Sequence, residues 1–144
     1  MDGSVKFPSE RRLLIAATAA AVAAMTGCGS PDDDADLAAQ QERGAELYQR
    51  HCVECHGGAT GGHITDIPPP HNAEGHTWHH GDCELIEITL EGMPPRPGFP
   101  EMPAFGDELS EEDVEAILAH IKTWWEPHQR EHQAEVTEQI CDRP

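Results

Sequence analysis

Basic side chains are scarce in this chain. Nine Lys and Arg stand against 27 Asp and Glu, a formal net charge of −18 over 144 residues with His neutral. Phosphate backbones would repel such a surface, which argues against nucleic acid as a partner. A long apolar run is also lacking. The stretch from Leu13 to Met25 has the length of a signal-peptide core and is too short to span a bilayer comfortably. No alternation of strand and helix patterns of the βαβ kind is visible, and no internal repeat.

What the chain does have is Cys52-Val53-Glu54-Cys55-His56. Two cysteines two residues apart, followed at once by histidine, form the attachment signature of a c-type haem. The chemistry explains the spacing. Two thiols add across the two vinyl groups of one porphyrin, and the next side chain then lies under the iron. His56 is therefore the expected proximal ligand, with its other ring nitrogen given to a backbone carbonyl that fixes tautomer and orientation. A Cys-x-x-Cys pair also serves zinc sites and thiol–disulfide enzymes. A thioredoxin-like pair needs a βαβ context and gives His56 no role, so the haem reading is preferred.

Upstream, Lys6, Arg11 and Arg12 precede the apolar run, which ends in Met25-Thr26-Gly27-Cys28. This ending resembles the lipobox of bacterial lipoproteins. The resemblance implies a signal peptide over 1–27 and a lipid on the Cys28 thiol. Ordinary signal cleavage and a retained N-terminal anchor are the alternatives. The protein is then expected at the periplasmic or other extracytoplasmic face of a membrane, held by lipid alone. Residues 28–35 read as a flexible acidic linker. With Cys28, Cys52 and Cys55 assigned, Cys83 and Cys141 remain. In an oxidising compartment the two are expected to pair and to tie the C-terminal tail to the domain. Two unrelated thiols are the other reading.

One small domain is expected over 36–126, with a polar tail over 127–144 that has room for a short helix held by Cys141. A first helix is predicted from Asp36 to about Arg50, with acidic residues at its start. The segment from Gly57 to Asp82 is rich in Gly, Pro and His and needs a ligand to organise it. Asp82 to Glu91 fits both periods; a helix stopped by Gly92 is favoured on context. Met93 to Phe105 holds five prolines and reads as extended loop. Ser110 and Asp113 resemble a capping box at the start of a helix running to about Trp125, limited by Pro127. Val114, Ile117, Leu118, Ile121 and Trp125 form its apolar face.

Arg43 to Gly57, RGAELYQRHCVECHG, resembles the first helix and haem motif of class I c-type cytochromes. Met102 to Trp125, MPAFGDELSEEDVEAILAHIKTWW, resembles that family's methionine loop and C-terminal helix. The resemblance implies an all-α cytochrome c fold, three to five helices wrapped around one covalent haem c. It places Gly44 and Tyr48 at a close crossing with the C-terminal helix. It makes Met102 the distal iron ligand, with Met93 the alternative. It also assigns the His56 nitrogen to the carbonyl of Pro68, Pro69 or Pro70.

Trp78 and Arg96 carry N–H donors and are candidate contacts for the haem propionates. His76, His79 and His80 belong to a histidine-rich stretch that offers a second metal such as copper a binding cluster. The leading expectation is a single-haem electron carrier, not an enzyme, cycling between Fe(II) and Fe(III). Its partners would be redox proteins, met as a monomer or as a subunit of a complex. The alternatives are a haem- or copper-binding sensing module and the haem subunit of a larger oxidoreductase.

Overall fold

The computed structural model describes residues 31–61 and 69–141. Among the described residues five helices follow in chain order: α1 (Pro31–His51), α2 (Val53–His56), α3 (Asp82–Glu91), α4 (Glu111–Ile121) and α5 (Pro127–Cys141). Short 3₁₀ turns occupy Thr77–His79 and Lys122–Trp124. Among the described residues pairing of strand type is confined to isolated bridges. The fold is all-α. No helix among the described residues is long and apolar enough to cross a membrane.

α1 begins five residues earlier than the pattern suggested. Proline is pre-organised for the first helical position, and Asp32, Asp33 and Asp34 complement the positive end of the helix dipole. Residues 31–35, expected within a flexible linker, are therefore helical. Cys28 and the 1–27 segment lie outside the described residues.

The core forms where α1 crosses α4. Leu47 and Tyr48 pack against Val114, Ala116, Ile117, Leu118 and Ile121, with Leu109 and Trp125 at the margins. The crossing requires glycine at position 44: a Cβ there would lie 1.8 Å from the Ala116 carbonyl oxygen. α4 starts on a reciprocal cap, as its sequence indicated. Ser110 Oγ accepts from the Asp113 amide at 3.2 Å, and Asp113 Oδ2 accepts from the Ser110 amide at 3.1 Å. Arg43 reaches across from α1 to Asp113 at 2.6 Å.

α3 occupies the range expected of it and ends at Gly92, whose φ of 74° is a left-handed value that glycine adopts freely. A Cβ at Gly92 would stand 2.6 Å from the Met102 carbonyl oxygen. The end of α3 and the methionine hairpin thus fit together only without a side chain there.

Pro127 has two roles. The α4 helix tightens into its 3₁₀ turn and stops before it, and the proline then opens α5. Cys141, at the end of α5, is joined to Cys83 by a disulfide.

Candidate haem site

The turn of α2 brings the attachment residues together. The Cys52 amide continues the α1 ladder to the Tyr48 carbonyl at 2.9 Å, and the His56 amide bonds the Cys52 carbonyl at 2.9 Å. Residues three apart on a helical turn share a face, so Cys52 and Cys55 are neighbours with His56 immediately beyond. Both thiols are free; Cys52 is half-buried and Cys55 exposed. Burial, and then the neighbouring Cys55, push the Cys52 thiol up to about 12. A thiol–disulfide enzyme needs the opposite shift, toward thiolate at neutral pH.

His56 is buried, 8% exposed. Its Nδ1 lies 2.8 Å from the Pro69 carbonyl oxygen. A carbonyl only accepts, so Nδ1 carries the proton and Nε2 keeps its lone pair for a metal. Of the three prolines that offered this carbonyl, the structure brings Pro69 to it; Pro68 lies outside the described residues. Tyr48 steadies the other side of the motif, its hydroxyl donating to the Gly57 carbonyl at 2.8 Å.

His71 stacks on the His56 ring with centroids 4.1 Å apart and planes 24° from parallel. Its Nδ1 meets the Thr77 hydroxyl at 2.7 Å. Burial and then His56 hold its pKa down at about 3, so it is neutral at physiological pH. The sequence alone gives His71 no role of its own. Nothing in its local spacing marks a stacking role.

Met93 and Met102 face each other across an antiparallel bridge, with Met93 N–H to Met102 O at 2.8 Å and Met102 N–H to Met93 O at 3.0 Å. Directly opposed residues of an antiparallel pair project to the same side. The segment expected to be an extended loop is thus a short hairpin that presents two thioethers together. Arg96 distinguishes them, with its Nη2 3.9 Å from Met93 Sδ. The Arg96 guanidinium also lies over the Phe99 ring, 5.1 Å from its centroid. Arg96 is exposed at the hairpin turn, where its backbone also pairs with that of Phe99.

Trp78 is packed against the core, and its Nε1 is buried without a hydrogen-bond partner among the described residues. An indole N–H donates only, so a buried one calls for an acceptor. The histidines around it cluster: His76 lies 4.8 Å from His79 and 5.2 Å from His80 by ring centroid, and His132 of α5 lies 5.6 Å from His79. No group of three or more His, Cys, Asp or Glu side chains among the described residues converges as a metal site.

These donors fit a c-type haem: two free thiols on one turn, an imidazole with Nε2 available, paired thioethers, and a buried indole N–H suited to a propionate. The chain matches the family described as cytochrome c oxidase, cbb3-type, subunit III, over residues 39–121, more than half its length. It belongs to this family. It is a mono-haem c-type cytochrome, whose domain binds one covalent haem c. No curated protein and no solved structure matches the chain. The part of this cytochrome outside the match includes all of α5, whose buried Gln129 and Gln133 sequence reasoning missed. A signal was present, in polar residues repeating every fourth position.

Proposed function

We propose that this cytochrome is a membrane-anchored electron carrier with His56 and Met102 as axial ligands. When bound, the haem supplies a one-electron Fe(II)/Fe(III) couple. Cys52 and Cys55 hold it through thioethers. His56, oriented by Pro69, would hold the iron through Nε2, and Met102 would add a neutral, soft sulfur. The observation that carries this reading is the His56–Pro69 bond at 2.8 Å, which leaves the ligand nitrogen free next to both thiols. The Arg96 contact to the Met93 sulfur favours Met102 as the ligand.

With His56 and Met102 both holding the iron, oxygen or peroxide would have no site there, and the cytochrome would work as a carrier. Trp78 holds a propionate, and Arg96 is the second candidate for that task. A lipid on Cys28 keeps the protein at the extracytoplasmic membrane face, near the redox proteins it serves. The segment 1–27 carries a net charge of +1, so the remainder is −19 and steers toward basic patches on those partners.

A redox titration of the holoprotein in the presence and absence of carbon monoxide tests this. A single reversible one-electron transition that the gas does not alter is expected. Tight carbon monoxide binding by the wild-type ferrous form contradicts it.

A further inference from the structure

The haem site leaves one pattern of the C-terminal extension without a role. Trp125, just before α5, and Gln129, Gln133, Thr137 and Cys141 within it recur at every fourth residue. Such residues stack on one side of a helix. Each is fastened to the segment 71–83. Trp125 Nε1 donates to the His71 carbonyl at 2.8 Å, and Gln129 Nε2 to the Ala73 carbonyl at 2.8 Å. Gln133 Nε2 lies 3.2 Å from the His80 carbonyl oxygen and 2.7 Å from Asp82 Oδ1. Thr137 Oγ1 accepts from the Asp82 amide at 3.0 Å, and Cys141 is bonded to Cys83.

Gln129 and Gln133 are 5% and 2% exposed. Burying an amide is costly unless its hydrogen bonds are made. Here the two amides bond loop carbonyls at Ala73 and His80, which lie outside the regular helices. The whole stripe lies beyond residues 39–121 that match the family.

The fastened segment continues directly from Pro69 and forms a wall of the haem site. The Pro69 carbonyl accepts a hydrogen bond from His56 Nδ1, His71 stacks on the His56 ring, and the Trp78 indole N–H has no hydrogen-bond partner among the described residues. α5 adds His132, whose ring lies 5.6 Å from Trp78.

We infer that α5 is a strap that positions the 69–82 wall against the haem, with Gln129 and Gln133 as its positioning residues. This rests on the electron-carrier reading above and adds a determinant of the reduction potential. Loosening the wall admits water and lets the His56 ring turn. Ferric iron carries one more positive charge than ferrous, so water favours the ferric form and the potential falls.

The test compares holoproteins: wild type, Gln129→Met with Gln133→Met, and Glu131→Gln as a control at an exposed α5 position. Each is equilibrated with a one-electron reference couple at a temperature where circular dichroism shows it folded. The double variant is expected to shift at least tenfold toward ferric, about 59 mV for one electron. The Gly75, His79 and His80 amides of its loop exchange faster, while Glu131→Gln matches wild type. A double variant whose loop amides exchange faster but whose equilibrium stays within twofold of wild type overturns the inference. If the double variant yields no holoprotein, Thr137→Val decides: a twofold or larger shift toward ferric supports the strap, and no shift overturns it. Wild type without covalent haem would sink the electron-carrier reading itself, before any variant is compared.

Discussion

His56 and Pro69, thirteen residues apart, are joined by an N–H···O=C bond of 2.8 Å that fixes the imidazole tautomer. The ring is thereby aimed before any metal is present. His56→Ala removes the ligand but neither thiol. The variant is expected to keep its haem through acid–acetone extraction while losing the low-spin ferrous absorption bands. Haem lost to the solvent would mean that Cys52 and Cys55 do not hold it.

Met102 and Met93 share one side of a hairpin, and Arg96 engages the Met93 sulfur. Met102→Ala is expected to give a five-coordinate ferrous iron that binds carbon monoxide. Met93→Ala should leave the six-coordinate spectrum intact. The reverse pattern in the two spectra would exchange the roles of the two methionines.

Gly44 lets α1 and α4 touch, and a methyl group would penetrate the Ala116 carbonyl. Overpacking of this sort costs about 1–3 kcal/mol where neighbours can shift, and here the obstacle is backbone. Gly44→Ala should therefore destabilise by about 3 kcal/mol, read from urea midpoints. A loss under about 0.5 kcal/mol would mean that the helices part easily.

The Ser110 backbone amide and then its hydroxyl hold the Asp113 carboxyl below its ordinary range. A carboxylate with a lowered folded pKa contributes stability above its unfolded value and loses it as pH falls through the folded one. Ser110→Ala should cost about 1 kcal/mol at pH 7. The difference between variant and wild type should shrink below pH 4 in parallel denaturant titrations.

Burial keeps His120, packed beside Tyr48 and Trp124, below its usual pKa. The unfolded chain then binds more protons, so this residue's contribution is complete above about pH 6.5 and declines as pH falls below it. His120→Gln should flatten the stability profile between pH 6.5 and pH 5. An unchanged slope in thermal melts across that range would show that His120 titrates normally.

Much of the site was legible because its chemistry is local. Cys52, Cys55 and His56 sit on one turn, Ser110 and Asp113 cap one helix, and Gly92 stops another. Each needs only nearest neighbours along the chain. The His56 acceptor was narrowed to three prolines and no further, since a loop's path decides which carbonyl arrives. The buried side of α5 was hidden for a different reason. It is made of Gln129, Gln133 and Thr137, and a search for apolar periodicity passes over a polar stripe. Pro127 reads as a stop by its missing N–H, yet that same lack suits it to begin a helix. The early start of α1 at Pro31 was obscured by Asp32, Asp33 and Asp34, which read equally well as a solvated tether and as a favourable first turn.

The covalent bond between chain and haem is the most direct point of attack. The protein should be purified from a host competent in cytochrome maturation, denatured, and run with a thiol-alkylating reagent into a mass spectrometer. The predicted result is a coloured polypeptide heavier by one haem, with Cys52 and Cys55 closed to the reagent. A colourless chain with both thiols alkylated would contradict it.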